Sequence, residues 1–142
     1  MKGKRVKVVG NTFSLIPFTF ILMKKMYHLG NCTTCQAIIK ETGIDKKSKG
    51  FEFQEIKTES ITPAQLDEMK KMAGSFEALF SRRALKYKEM GLKDKQLSES
   101  DYRNLILSEY TFLKRPVVID GTKIFIGSEK KNLAALKQQV KG

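Results

Sequence analysis

Two cysteines, Cys32 and Cys35, stand three positions apart in "LGNCTTCQAIIK", and they are the only cysteines in the chain. A C-x-x-C pair in a chain with so few cysteines points to thiol–disulfide chemistry or to part of a metal site. A metal needs three or four ligands, and His28 is the single histidine, so the composition favours redox chemistry and no metal. His28 stands four positions before Cys32, where it is expected to pack rather than to shuttle protons. Phosphate-binding loops, a Ser-His-Asp set and paired catalytic carboxylates in a defined context are all absent, so nothing competes with the cysteines for the chemistry.

The elements around the pair follow from periodicity and turn residues. "MKKMYHLG" is short, apolar and stopped by Gly30, which predicts a strand. Thr33 and Thr34 are candidate caps of the next element, a helix over "CQAIIKETG". "FEFQEIKT" alternates, with Phe51 and Phe53 on the buried face and Glu52, Gln54 and Glu55 out of it. Thr62 caps and Pro63 opens a helix carrying Leu66, Met69 and Met72. Helices are expected again in "SFEALFSRRALKYKEMG" and in "SESDYRNLILSEYTFL", the latter capped by Ser98 or Ser100, and Met90 is expected to pack like the other methionines. "RPVVIDGTKIFIG" reads as a hairpin turning at Asp120-Gly121, and "SEKKNLAALKQQV" as an amphipathic helix with Leu133, Leu136 and Val140 inward.

The order β-α-β, helices, β-β-α predicts an α/β protein with a thioredoxin-like fold, interrupted between its halves by an all-helical insertion over about residues 60–113. In that fold a C-x-x-C after the first strand lies at the N-terminus of the first helix. There, unpaired amides and the positive end of the helix dipole favour a thiolate, making Cys32 the nucleophile. Cys35, one turn further in, is more shielded and can resolve a mixed disulfide on Cys32.

Length and charge set the bounds. At 142 residues the chain is one domain long. The formal charge is +12, but residues 1–25 hold six basic and no acidic side chains, whereas residues 26–142 hold 21 basic and 15 acidic ones. The excess is concentrated at the start, so direct nucleic-acid binding is not expected, while a basic pocket for a small anion such as an oxyanion or glutathione needs fewer charges. Residues 1–22 join a basic start to an apolar run, Phe13–Met23, that resembles a secretory signal yet lacks a small-residue cleavage site. The run is too short and too polar for a membrane span. A start read too early, with Met23 opening a cytoplasmic domain over residues 23–142, is the expectation; a disordered or membrane-surface tail is the alternative.

"YHLGNCTTCQA" resembles the "YHNPxCxxS" start of the glutaredoxin-coupled arsenate reductase (ArsC) family, and "FEALFSRRALKYKEMGL", "DYRNLILSEYTFLKRPVVID" and "IFIGSEK" resemble its later blocks in order and spacing. The C-x-x-C version also looks like the Spx branch, redox-sensing regulators that bind RNA polymerase. The resemblance covers about residues 23–140. It implies that Cys32 attacks an oxyanion, that arginines hold it, and that glutathione or another thiol, with glutaredoxin or thioredoxin, completes the reduction, no cofactor being bound. Arg115 falls on one such arginine, and Pro116 on the cis proline that faces the cysteine. Strict alignment puts Ser81 at the central arginine, with Arg82 and Arg83 beside it. The last family arginine aligns to Ile126, which carries no charge, and a charge-assisted hydrogen bond to an anion is worth about 1.5–3 kcal/mol. The Spx likeness implies instead a Cys32–Cys35 switch recognised by the RNA polymerase alpha subunit.

Overall fold

Alternation along two short strands determines the architecture. The structure, a computed structural model, describes residues 23–141, so the expectations for residues 1–22 fall outside it. In chain order it contains β1 (Lys24–His28), α1 (Thr33–Thr42), β2 (Glu52–Glu55), α2 (Pro63–Ala73), α3 (Leu85–Glu89), α4 (Glu99–Ser108), β3 (Val117–Asp120), β4 (Lys123–Ile126) and α5 (Lys130–Lys141), with short 3-10 turns between some of them. The strands form one sheet in the order β2-β1-β3-β4. β1 pairs parallel with β2 and antiparallel with β3, and β3 pairs antiparallel with β4. This is the α/β, thioredoxin-like arrangement read from the sequence.

Successive strand residues point to opposite faces, so each central strand feeds two cores. Met26 and Val118 pack with Ile38 of α1 and with Leu136 and Val140 of α5. Their neighbours Tyr27, Val117 and Ile119 face the other way, onto Leu66 and Met69 of α2, Ile106 of α4 and the aromatic group of Phe80, Tyr102 and Phe112. The helices are therefore divided between the two faces of the sheet, and β1 and β3 are covered on both.

Start signals for two helices act as expected. Thr62 caps α2 in a reciprocal capping box with Gln65, with Pro63 in the first turn, and Ser98, not Ser100, caps α4 in a box with Asp101. Gln54, expected to point outward, is buried. Its amide and that of Gln65 donate to each other's carbonyl oxygens at 3.2 and 2.9 Å, and it also donates to the Glu59 carbonyl at 3.1 Å, which satisfies a polar group in an inward position.

Three further expectations are corrected. The helix read in "SFEALFSRRALKYKEMG" is broken into a 3-10 turn, Glu77–Leu79, an extended stretch and the five-residue α3. The stretch leaves helical geometry because it pairs with the chain ahead of β3. Ser81 N–H donates to the Phe112 carbonyl at 2.7 Å, Lys114 N–H donates to that of Leu79 at 2.8 Å, and Phe80 bridges to Leu113. Because α3 is so short, Met90 at its end is exposed instead of packed. The hairpin turns one position later than read: Asp120 stays in register opposite Lys123, so the loop is Gly121-Thr122, with Gly121 at φ 64°. Pairing of Asp120 with Lys24, and the bond from Gly121 N–H to the Met23 carbonyl, hold that residue in the strand.

Phe80 anchors the broken segment. Its ring stacks on Phe112 with centroids 5.0 Å apart and meets Tyr102 at 4.9 Å and Tyr87 at 6.0 Å. Phe80→Ala should cost about 3–5 kcal/mol of stability in urea unfolding, and a loss under about 1 kcal/mol would show that this cluster does not hold the segment.

Candidate active site

The turn after β1 places Cys32 at the start of α1. Cys32 N–H donates to the Leu29 carbonyl at 3.2 Å, and its own carbonyl accepts from Gln36 N–H at 3.0 Å, the first bond of the helix. Cys32 is thus the N-cap residue, in extended geometry at φ −88° and ψ 116°, with no side-chain cap hydrogen bond. This corrects the capping role expected of Thr33 and Thr34: the chain turns one residue earlier, both threonines lie in the first helical turn, and both are exposed.

The two sulfurs have opposite environments. Partial burial alone would raise the Cys32 pKa, but the nearby polar hydrogens of Cys35 and Thr34 at the helix start, with the charge of Arg115, outweigh it and hold Cys32 below the ordinary thiol value. Cys35 is fully buried, and that burial, reinforced by the neighbouring Cys32 sulfur, pushes it up to about 11. Both are free thiols. Cys32 is the more acidic of the two, and Cys35 holds its proton beside it.

Cys32 opens onto a cavity of about 320 Å³. Thr34 joins it from α1, while Ser81, Arg82 and Arg83 come from the segment that follows the Glu77–Leu79 turn. Lys114 and Arg115 come from the approach to β3, and Ser128 and Glu129 from the approach to α5. Of the residues singled out in the sequence, Cys32, Thr34, Arg82, Arg83 and Arg115 are brought together here. Cys35 lies behind Cys32, Thr33 does not line the cavity, and Pro116 is buried next to Arg115 without lining it. The Arg115–Pro116 peptide bond is cis, and the Pro116 carbonyl accepts from Gly127 N–H at 2.9 Å.

The arginines are not equivalent. Arg115 donates weakly to the Thr111 carbonyl at 3.4 Å, and its Nε is buried with no acceptor among the described residues. A buried donor without a partner costs about 1–3 kcal/mol, so an anionic ligand that accepts from it is favoured. Arg82 is already engaged, donating at 2.9 Å to both the Glu77 carboxylate and the Tyr102 hydroxyl. Arg83 is exposed and makes no ion pair among the described residues. Ile126 packs its side chain against the sheet's larger core. His28 sets its ring edge against Phe53 at 5.6 Å and does not line the cavity.

Sequence reasoning passed over Lys114, Ser128 and Glu129. Lys114 adjoins Arg115 in "KRPVV", and Ser128 and Glu129 lie in "IFIGSEK", so the blocks that hold them were in view although neither block marked these side chains for the site. Among the described residues no three His, Cys, Asp or Glu side chains are grouped as a metal site requires, and no helix is long and apolar enough to cross a membrane.

The contrast between the sulfurs gives a measurable order of ionisation. Alkylation of the folded protein by iodoacetamide should titrate at Cys32 below the ordinary thiol range, while Cys35 stays protected to about pH 11. Removing the neighbouring thiol with Cys35→Ala, or the charge with Arg115→Gln, should move the Cys32 midpoint upward. Midpoints unchanged in both variants would refute this account of its acidity.

The model of the ArsC family matches residues 27–136 of the chain. The chain is 29% identical over 107 residues to the uncharacterized protein YusI of Bacillus subtilis (strain 168), covering 71% of this chain and 86% of YusI. Among solved structures, the protein SACOL0876 from Staphylococcus aureus COL matches with a TM-score of 0.64 and 28% identity, covering 80% of this chain and 97% of its own. A possible arsenate reductase from Streptococcus mutans UA159 matches with a TM-score of 0.62 and 25% identity, covering 77% and 92%. With the cysteine at the head of α1, the cations opposite it and the family match over most of the chain all in agreement, the chain belongs to the ArsC family.

Proposed function

We propose that the chain is a thiol-dependent oxidoreductase in which Cys32 attacks an oxyanion or a disulfide. The observation that carries this reading is the acidic Cys32 thiol at the mouth of a cavity lined by Arg82, Arg83, Lys114 and Arg115. A thiolate is the reactive form, and cations both stabilise it and attract an anionic substrate. The likeness to the possible arsenate reductase of Streptococcus mutans supports arsenate as the oxyanion to try first.

With arsenate, the Cys32 thiolate forms a sulfur–arsenic bond while an arsenic-bound oxygen, protonated by solvent, leaves as water. A second thiolate, from Cys35 or from an external thiol such as glutathione, then attacks the Cys32 sulfur. The sulfur–sulfur bond forms as the electron pair of the sulfur–arsenic bond passes to arsenic, which departs as arsenite. The resulting disulfide is reduced by a further thiol, supplied by glutathione with glutaredoxin or by thioredoxin. Once Cys32 is covalently occupied its negative charge is gone, which removes part of what holds the Cys35 proton in place.

A second reading rests on the departures from the family's arginine set. Ile126 supplies no charge and Arg82 is held by Glu77 and Tyr102, so a Cys32–Cys35 disulfide serving as a switch for an RNA polymerase alpha subunit is the alternative. Its test is a pull-down of that subunit by the reduced and the oxidised protein. Absence of a complex in both states removes it.

For the reductase, the decisive measurement is NADPH consumption coupled through glutathione, glutaredoxin and glutathione reductase, with and without arsenate. Turnover should require arsenate and vanish in Cys32→Ser. Arg115→Gln should lower kcat/KM about 10- to 100-fold, the value of one charge-assisted hydrogen bond. A folded protein that forms its disulfide under mild oxidant yet turns over neither arsenate nor a small disulfide in this assay would overturn the reductase reading.

A further inference from the structure

Two charged side chains in the cavity have no part in the family's arginine pattern, Lys114 and Glu129. They reach it from different elements. Lys114 is fixed by its N–H bond to the Leu79 carbonyl, and its stem runs beside Gly127, where Cδ lies 4.0 Å from the position a Cβ would take. Lys114 itself lines the cavity, whereas Ile126 packs against the core and brings no charge to it. Glu129 stands just ahead of α5, exposed, and among the described residues neither it nor Lys114 belongs to an ion pair.

A carboxylate in this position is unfavourable for a bare oxyanion, which it repels, and favourable for a ligand that also carries a positive group. Size points the same way. A volume of about 320 Å³ is more than one tetrahedral oxyanion fills. The ligand that matches both the charges and the volume has carboxylates, an ammonium and a group that a thiolate can attack.

We propose that the cavity takes a low-molecular-weight disulfide bearing both carboxylate and ammonium groups, with Lys114 and Arg115 receiving a carboxylate and Glu129 the ammonium. This rests on Cys32 being the nucleophile. The Cys32 thiolate attacks one sulfur of the disulfide; a Cys32–ligand disulfide forms, the original sulfur–sulfur bond breaks, and the departing thiolate takes a proton from solvent. Cys35, after losing its proton to solvent, attacks the Cys32 sulfur, releasing the second thiol and closing the Cys32–Cys35 disulfide. One disulfide is reduced as one is formed, so electrons balance without a further reagent.

The test is the rate of mixed-disulfide formation at Cys32, followed by mass spectrometry, with oxidised glutathione and with dithiodipropionate. These probes have the same net charge but only the first has ammonium groups. Each rate is divided by the same variant's rate with neutral hydroxyethyl disulfide. The wild-type chain should prefer oxidised glutathione, and Glu129→Gln should cut that preference roughly two- to fivefold, as befits an exposed carboxylate. Lys114→Gln should slow both anionic probes, and Lys114→Arg should restore them. An unchanged preference in Glu129→Gln, or anionic probes indifferent to Lys114→Gln, overturns the proposal while leaving Cys32 as the nucleophile. Failure of Cys32 to react with any of the three disulfides removes the nucleophile and this proposal with it.

Discussion

A short backbone ladder sets the rest of the site. The bonds from Ser81 N–H to the Phe112 carbonyl and from Lys114 N–H to the Leu79 carbonyl join the middle of the helical segment to the chain entering β3. Main-chain bonds of this kind allow little drift, because each also satisfies a group that would otherwise be left without a partner near the core. The ladder brings Arg82 and Arg83, far from Arg115 in sequence, to the same cavity wall. Phe80 adds the apolar part by filling the space between Phe112, Tyr102 and Tyr87. The interruption of the helix is thus what permits the cations to converge.

Opposite that wall, the two sulfurs divide the work through their surroundings. Cys32 stands at a helix start, where amide hydrogens have no partner within the helix, and a helix beginning one residue later would have put a threonine there instead. Cys35 is enclosed by the core at 0% exposure, where a charge is costly. A single C-x-x-C spacing therefore yields an acidic thiol and a reluctant one, the polar hydrogens of the second helping to favour charge on the first.

The sheet supplies the frame for both walls. β1 delivers Cys32 and β3 receives the chain from Arg115, and the two strands are adjacent and antiparallel, so the end of one lies beside the beginning of the other. Tyr27 pairs in register with Val117, which brings the loop that carries Cys32 next to the Arg115–Pro116 step. Period-two alternation then buries the strands on both faces, so that the loops carrying the site are anchored in strands that belong to the core.

What was legible in the sequence was whatever local chemistry dictates. The C-x-x-C at a strand-to-helix junction, the Thr62 and Ser98 caps, the continuous apolar run of β3 and the stripe of α5 each depend on residues within a few positions of one another. Local signals were misleading wherever a distant partner overrode them. Gln54 turned inward because Gln65 completes its hydrogen bonds, the stretch after Leu79 left the helix because the chain near Leu113 pairs with its backbone, and Asp120 stayed in its strand because Lys24 pairs with it. The residue types and their spacing singled out one thiol pair as the candidate for chemistry and Cys32 as its more acidic member. Only the tertiary structure decided which cations share its cavity and that Glu129 joins them, because charge, burial and donor geometry act through space and not along the sequence.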